Sequence, residues 1–112
     1  MFRRDPPTPS VPAILPAQAA PLVRAGRAVL VDVRESDEWA EARIPGAIHL
    51  PLGELEARMH ELPRDRTLIL QCRSGNRSRG ATEFLLQSGF GDVANLEGGI
   101  LRWAREGLPV EE

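Results

Sequence analysis

Residues 67–78 read TLILQCRSGNRS, an apolar run that leads directly into small, polar and basic residues. The run TLILQ is typical of a strand buried in a parallel sheet. The residues after it favour a turn, and Ala81, Phe84 and Leu85 then follow at the spacing of one helical face. Gly89 is a candidate left-handed stop for that helix. A strand, a turn and a helix in this order predict one unit of an α/β sheet.

Two more apolar runs predict further strands at residues 28–33 (AVLVDV) and 92–96 (DVANL). Ser36 is a candidate N-cap, and residues 52–62 carry leucine and methionine at helical steps of three and four. Gly98 opens a last predicted helix. Because strands and helices alternate, the sequence predicts an α/β fold with a parallel sheet and helices on its faces.

The amino-terminal end differs from the rest of the 112-residue chain, since four of the ten prolines fall within residues 1–12. This composition predicts a flexible Pro-rich arm at residues 1–12, followed by a single domain over residues 13–112. Residues 13–26 favour a helix, but Pro16 suits only a first turn and Pro21 would interrupt the helix. The structure of that segment stays open.

Composition excludes several kinds of chemistry and partner. All 14 basic residues are arginine, so that Schiff-base and P-loop lysine chemistry are ruled out. A net charge of −2 gives no general attraction to nucleic acid, and no apolar run approaches the ~20 residues of a membrane-spanning helix. We therefore expect no nucleic-acid partner and no membrane partner. Arg3 and Arg4 lead into no apolar stretch of a signal peptide, which predicts a cytoplasmic protein.

The single cysteine, Cys72, cannot form an intramolecular disulfide or a multi-cysteine metal site, and no metal is expected. It lies at the carboxyl end of a predicted strand, where open α/β sheets bind their ligands. Ser74, Gly75 and Asn76 would let successive backbone N–H groups converge on the sulfur, and the next helix adds the positive end of its dipole. These features favour the thiolate. We expect the pKa of Cys72 to lie below that of free cysteine, and the side chain to act as a nucleophile.

Of the charged and polar side chains near Cys72, three have two interpretations each. Arg73 and Arg77 flank the predicted loop with positive charge, although Arg77 could instead brace the loop through an ion pair. Ser78 is either a helix cap or a partner of the thiolate. Asp32, at the end of a neighbouring strand, is interpreted as a structural anchor for loop amides or for an arginine.

Arg34 and Glu38 are interpreted as an i, i+4 ion pair or as a structural brace. His49 lies in a short extended segment, where a structural role is commoner than a place in a pocket. His60 lies off the apolar face of residues 52–62 and is expected to be exposed. A papain-like hydrolase needs an imidazole beside its cysteine, so that class is disfavoured.

Three stretches, in order along the chain, resemble the rhodanese domain family. Residues 30–35 (LVDVRE), the Glu-Trp pair at 38–39 and residues 44–51 (IPGAIHLP) resemble its first signature. Residues 72–78 (CRSGNRS) resemble its active loop. Residues 96–110 contain LEGGI, a tryptophan and GLPV, and they resemble its carboxyl-terminal signature.

The resemblance implies a rhodanese-like three-layer fold, with a five-stranded parallel sheet and helices on both faces. It also implies sulfurtransferase chemistry, in which Cys72 takes sulfane sulfur from a small anionic donor such as thiosulfate and becomes a persulfide. The sulfur then passes to cyanide, a cellular thiol or a protein, and no metal or organic cofactor is needed. The substrate-binding residues implied by the active loop are Arg73, Ser74, Gly75, Asn76, Arg77 and Ser78.

Other functions stay as alternatives. A sulfur-relay carrier would use the same chemistry with a protein acceptor. Cysteine phosphatases and arsenate reductases of this fold have five residues between cysteine and arginine, whereas four separate Cys72 from Arg77, a shorter loop that favours one sulfur atom over phosphate. A non-enzymatic interaction module would typically lack the cysteine. Ala42 and Arg43 replace the Gly-His of many family members, on what we expect to be a surface turn.

Overall fold

The computed structural model describes residues 11–112. Its strands are β1 (Ala13–Ile14), β2 (Ala28–Asp32), β3 (Ile48–His49), β4 (Thr67–Gln71) and β5 (Val93–Leu96). Its helices are α1 (Pro16–Arg24), α2 (Ser36–Glu41), α3 (Leu55–Arg58), α4 (Asn76–Gln87) and α5 (Gly99–Arg105). All paired strands are parallel, in the order β1-β5-β4-β2-β3. The predicted α/β fold with a five-stranded parallel sheet is confirmed.

The two faces of the sheet are covered by different helices. Alternate residues of β4 point to opposite faces, so that Leu68 and Leu70 enter one core cluster and Ile69 enters the other. The first cluster includes Leu85 of α4, and the second includes Trp103 of α5. Because β2 and β4 are buried on both faces, they carry the continuous apolar runs by which the sequence predicts them.

Residues 13–26, which the sequence leaves open, contain an edge strand followed by a helix. β1 pairs with β5, and α1 begins at Pro16 and continues through Pro21. Pro16 stands in the first turn, where its missing N–H would have no helical partner. Pro21 removes one hydrogen bond from the helix interior, and the helix persists because Ala19 and Ala20 pack into the core.

The predicted arm at residues 1–12 falls mostly outside the described residues, which begin at residue 11. Pro12 is already paired with the sheet, since its carbonyl accepts the backbone N–H of Asn95 at 2.8 Å. None of the helices within residues 11–112 is long and apolar enough to cross a lipid bilayer.

The sequence predicts one regular helix over residues 52–62, and this prediction is wrong. One α-helical turn, α3, lies between 3-10 turns at Leu52–Glu54 and Met59–Glu61. A 3-10 helix has three residues per turn rather than 3.6, and this difference rotates Leu52 off the buried face. Leu52 is 39% exposed, whereas Leu55 is buried. Gly53 favours a regular α-helix poorly.

The predicted N-cap of α2 is also wrong, because Glu35 rather than Ser36 occupies that position. The backbone N–H of Glu35 donates to Oε1 of Glu38 at 3.0 Å, as in a capping box. This contact places Glu38 at the start of α2 with its carboxylate close to the end of β2.

Candidate functional site

Cys72 follows β4 directly, and its sulfur is surrounded by hydrogen-bond donors. The backbone N–H groups of Gly75 and Ser78 lie 3.1 and 3.4 Å from Cys72 Sγ, and the hydroxyl oxygen of Ser78 lies 3.3 Å away. The residue is 1% exposed. The predicted convergence of loop amides on the sulfur is therefore present in the structure.

Gly75 makes this arrangement sterically feasible. It has φ of +104°, in the left-handed region that favours glycine, and it is the N-cap of α4. A side chain there would also press against the backbone of Gly98, 3.3 Å from its nitrogen. The turn thus points its amides inward at Cys72 and starts α4 with the positive end of its dipole towards the sulfur.

The surroundings of Cys72 act on its pKa in opposite directions. Burial raises the pKa of the thiol, whereas hydrogen bonds from the Ser78 hydroxyl and from the amides of Ser74, Gly75 and Ser78 lower it. The lowering effects prevail, and the pKa lies below its ordinary value. A buried sulfur that accepts several hydrogen bonds is suited to carry negative charge.

Ser78 is a partner of the sulfur and not a helix cap. It is the third residue of α4, which is capped by Gly75. Its hydroxyl also lies 2.6 Å from Oδ1 of Asn95, and Nδ2 of Asn95 donates to the carbonyl of Gly75 at 3.0 Å. Asn95 on β5 thus ties the loop to the next strand. The sequence does not predict this role, because an asparagine inside a short apolar strand carries no pattern of its own.

The beginning of α5 supports the loop from the other side. The N–H groups of Ile100 and Leu101 donate to the carbonyls of Cys72 and Arg73 at 2.9 and 3.1 Å. A Cβ at Gly99 would collide with those two carbonyls, and its φ of +59° is left-handed as well. This close approach requires a residue without a side chain at Gly99, the second glycine of the Gly98-Gly99 pair. The sequence alone does not predict this requirement.

Arg77 braces the loop through an ion pair. Its two terminal nitrogens lie 2.7 and 2.9 Å from the two carboxylate oxygens of Glu38, a bidentate contact between α4 and α2. The Arg77 guanidinium lowers the pKa of Glu38 to about 2. Of the two interpretations of Arg77, the structure supports the ion pair.

Of the two interpretations of Arg34 and Glu38, the structure supports the brace and not an ion pair between them. Arg34 instead holds Asp32, with Nε 3.0 Å and Nη2 2.7 Å from the carboxylate, and it reaches only the main-chain oxygen of Glu38 at 3.4 Å. Arg34 precedes α2, so the i, i+4 spacing of a helix does not apply to it. Asp32 is an anchor for an arginine, as interpreted from the sequence.

The two histidines lie apart from the sulfur. Nε2 of His49 shares a hydrogen bond of 2.9 Å with the carbonyl of Arg34, and its ring stacks on Trp39 with centroids 4.7 Å apart. His60 is exposed, as predicted. The structural interpretation of His49 is therefore supported.

The remaining loop side chains, Arg73, Ser74 and Asn76, are placed differently from the sulfur-binding groups. Arg73 and Ser74 are exposed. Arg73 forms no ion pair with any residue of 11–112, and it borders a groove of about 450 Å³ between α2 and α5. Within the described chain, no three His, Cys, Asp or Glu side chains are grouped so that they could hold a metal ion. The site is thus a buried sulfur in a cradle of amides, followed in the chain by Arg73, which is exposed and has no ion-pair partner within residues 11–112.

A family model described as the rhodanese-like domain matches residues 15–106. The chain belongs to the rhodanese-like domain family. A sulfurtransferase of Allochromatium vinosum is 49% identical to this rhodanese domain over 82 residues, which are 73% of the chain and 77% of that protein. The enzyme class predicted from the sequence, sulfurtransferase, is confirmed by this likeness.

Solved structures confirm the rhodanese fold. A rhodanese-related protein from Thermoplasma volcanium matches with a TM-score of 0.83 at 35% identity, covering 89% of this chain and 97% of that one. A thiosulfate sulfurtransferase from Pseudomonas aeruginosa matches with a TM-score of 0.84 at 33% identity, covering 91% of this chain and 20% of that one.

Proposed function

We propose that this rhodanese domain moves sulfane sulfur from an anionic donor such as thiosulfate to a thiophilic acceptor through a persulfide on Cys72. One observation carries the proposal: the N–H groups of Gly75 and Ser78 and the Ser78 hydroxyl converge on Sγ within 3.4 Å. These neutral donors stabilise a sulfur anion without placing a cation in contact with it. The sulfur therefore stays available as a nucleophile.

The reaction proceeds in two balanced steps. In the first, the Cys72 thiolate attacks the outer sulfur of thiosulfate, the S–S bond of the donor breaks, and sulfite leaves with the electron pair. In the second, cyanide or a thiolate attacks the outer sulfur of the persulfide, and the electron pair of the broken S–S bond returns to Cys72. The amides of the loop hold the negative sulfur before, between and after the two steps.

The six loop residues implied as substrate-binding divide into four groups in this proposal. Gly75 and Ser78 hold the sulfur directly, whereas Arg77 fixes the loop through its pair with Glu38. Arg73 offers an exposed, unpaired cation beside the loop and attracts the anionic donor. The fourth group consists of Ser74 and Asn76, which are exposed on the loop, and the amide of Ser74 helps to lower the pKa of Cys72.

Phosphoryl transfer is disfavoured by the position of Arg77. A phosphatase on this fold would need the loop arginine to hold the phosphate, but both terminal nitrogens of Arg77 are engaged by Glu38. The loop also has four rather than five residues between the cysteine and the arginine.

A cytoplasmic location belongs to the same proposal, since that compartment keeps thiols reduced.

Steady-state assays with two substrates test the proposal. We expect thiocyanate to form from thiosulfate and cyanide, with no release of phenol from an aryl phosphate. The Cys72→Ser variant is expected to form no thiocyanate. Hydrolysis of the aryl phosphate at a rate comparable to sulfur transfer would overturn the proposal.

A further inference from the structure

The groove beside Arg73 is larger than a small sulfur donor requires. Its volume of about 450 Å³ lies in the range of pockets that hold drug-sized ligands, roughly 300–1,000 Å³, whereas thiosulfate is an ion of one sulfate-like group. The groove reaches from Arg73 along α5 to Ala42 and Val110. Its size leaves room for a ligand larger than thiosulfate.

One wall of the groove is apolar and exposed. Ile100, Leu101, Ala104 and Val110 line it, and Leu101 and Val110 are 44% and 36% exposed. These are two of the four large hydrophobic side chains that are exposed in the described part of the chain. Clustering of exposed apolar side chains in one groove is typical of an interaction surface.

The charges of the groove are unequally distributed. Arg34 and Glu38 also line it, but each is neutralised, by Asp32 and by Arg77. Three charges in the groove have no ion-pair partner within residues 11–112, and they are Arg73, Glu41 and Glu112.

The two carboxylates lie at the end of the groove away from the loop. The backbones of Arg43 and Glu111 pair in an antiparallel bridge, which brings Glu41 and Glu112 to the same end. Arg73 lies at the loop end of the groove, where its carbonyl accepts the N–H of Leu101 in the first turn of α5. The groove thus runs from the cation of Arg73, which follows Cys72 in the chain, past an apolar wall to two carboxylates.

We infer that the groove binds the sulfur acceptor, and that the acceptor is a cysteine-bearing protein segment with an apolar and a basic residue near the cysteine. The inference rests on the proposed function. The acceptor thiolate lies towards Arg73, the apolar side chain packs on α5, and the basic side chain pairs with Glu41 and Glu112. Small anionic thiols such as glutathione are opposed by the same two carboxylates.

The transfer needs no further reactant. The acceptor thiol ionises to solvent, and its thiolate attacks the outer sulfur of the Cys72 persulfide. The bond between that sulfur and Sγ breaks, its electron pair returns to Cys72 as thiolate, and the acceptor leaves as a persulfide.

Two peptides of equal length test the inference, one with leucine, cysteine and arginine in sequence and the other with glutamate in place of arginine. Protein loaded with thiosulfate and freed of excess donor is mixed with each peptide, and sulfur on the peptide is followed by mass. We expect the arginine peptide to react roughly fivefold faster, the effect of one well-formed exposed ion pair. Equal rates, or a faster glutamate peptide, would overturn the inference.

The Glu41→Arg variant is expected to reverse this preference, while turnover with cyanide, which is too small to use the groove, stays unchanged. Glu56→Arg makes the same change of charge at an exposed position of α3 outside the groove and is expected to keep the preference of the wild type. A preference that survives Glu41→Arg would contradict the inference and leave the proposed function intact. Absence of cyanide turnover in the wild type would contradict the proposed function and the inference with it.

A second inference comes from the hydroxyl of Ser78, which has one proton and two acceptors. Oδ1 of Asn95 lies 2.6 Å from the Ser78 oxygen, and Sγ of Cys72 lies 3.3 Å from it. The Asn95 amide has one orientation only, because its Nδ2 donates to the carbonyl of Gly75. The three side chains are at most 4% exposed, so that bulk water does not supply a second donor.

We propose that Asn95 is a positioning residue, which competes with Cys72 for the Ser78 proton and thereby limits the stabilisation that reaches the thiolate. The shorter contact holds the proton on Asn95 while Cys72 is an uncharged thiol. When Cys72 ionises, the hydroxyl turns towards Sγ, and Oδ1 of Asn95 loses its donor. Ionisation therefore breaks one buried hydrogen bond as it forms another.

The rate of Cys72 alkylation by iodoacetamide as a function of pH tests this competition. We expect Asn95→Leu to shift the midpoint to lower pH, Ser78→Ala to shift it to higher pH, and the double variant to match Ser78→Ala alone. A shift by Asn95→Leu to higher pH, or one that persists without the Ser78 hydroxyl, would show a merely structural role and overturn the proposal. Asn95→Ala, which removes the same acceptor with a smaller side chain, provides the measurement if the leucine variant fails to fold.

Discussion

Two neighbouring strands, β2 and β4, end at the same edge of the sheet, but the buried side chains at their ends have different electrostatic partners. At the end of β2, Asp32 is buried and its carboxylate is matched by the guanidinium of Arg34 at 2.7 Å. At the end of β4, the sulfur of Cys72 is equally buried, but its hydrogen bonds come from neutral N–H and O–H groups, and the guanidinium of Arg77 acts on it only through space. A full counter-charge fixes a structure, whereas neutral donors stabilise a charge and leave it reactive.

The strongest test of this difference is the Asp32→Asn substitution. Arg34 is 5% exposed, so that removing the carboxylate leaves a buried, unpaired charge and lowers the free energy of unfolding by about 3–5 kcal/mol. Asp37→Asn makes the same change at an exposed position and is expected to alter it by less than about 0.5 kcal/mol. Urea unfolding measures both values. Equal changes in the free energy of unfolding for the two variants would show that the Asp32–Arg34 ion pair adds no stability.

A glycine inserted after Gly75, in the loop that follows β4, should impair sulfur transfer without unfolding the protein. It widens the cradle around Cys72, and misplacing donors by ~1 Å can lower kcat/KM for thiosulfate about a hundredfold. A glycine inserted after Gly91, in the exposed turn before β5, serves as the control and should leave the rate within a few fold. Sulfur transfer that tolerates the first insertion would contradict the role given to the amides.

Gly99→Ala tests the support that α5 gives to the same loop. The new methyl group collides with the carbonyls of Cys72 and Arg73, and we expect a loss of about 1–3 kcal/mol in the free energy of unfolding together with reduced turnover. A methyl group at Gly80 in α4 would meet no atom within 4 Å beyond the backbone of its own helix, so Gly80→Ala is the matched control. It should stabilise the helix by up to about 1 kcal/mol. Similar thermal unfolding of the two variants would refute the close approach at Gly99.

The smallest expected effect concerns the ion pair between Arg77 and Glu38. Since the pKa of Glu38 is lowered from 4.5 to about 2, its contribution to stability is present above about pH 4.5 and is lost as pH falls through about 2. Both side chains are partly exposed, so that Glu38→Gln should cost under about 1 kcal/mol at pH 6. The difference from the wild type should shrink as pH falls and vanish below about pH 2, with Glu56→Gln as the control. A difference that is constant from pH 6 to pH 2 would rule out this ion pair.

The elements that the sequence predicts are those whose evidence is local. β2, β4 and β5 carry apolar runs because both faces of the sheet are covered, and the turn residues of the loop follow β4 directly. β1 has two residues at an edge and no pattern of its own. α1 tolerates Pro21 because tertiary packing outweighs one lost hydrogen bond.

The parts of the site that the sequence could not predict depend on contacts between distant segments. Glu38 reaches Arg77 across 39 positions, and Asn95 reaches Ser78 across 17. The i, i+4 spacing of Arg34 and Glu38 favours a local ion pair only when both residues lie in the same helix. The helix α2 begins after Arg34, so the spacing does not apply. Spacing rules hold only inside an element whose ends are known.

The central claim, that neutral donors keep a reactive sulfur anion at Cys72, is tested most directly by intact mass. Treatment of the pure protein with thiosulfate should add the mass of one sulfur atom, and cyanide should remove it. The Cys72→Ser variant should keep its fold, since serine is close in size to cysteine, and should gain no sulfur. A serine variant that still gains sulfur, or a wild type that gains none, would contradict the account.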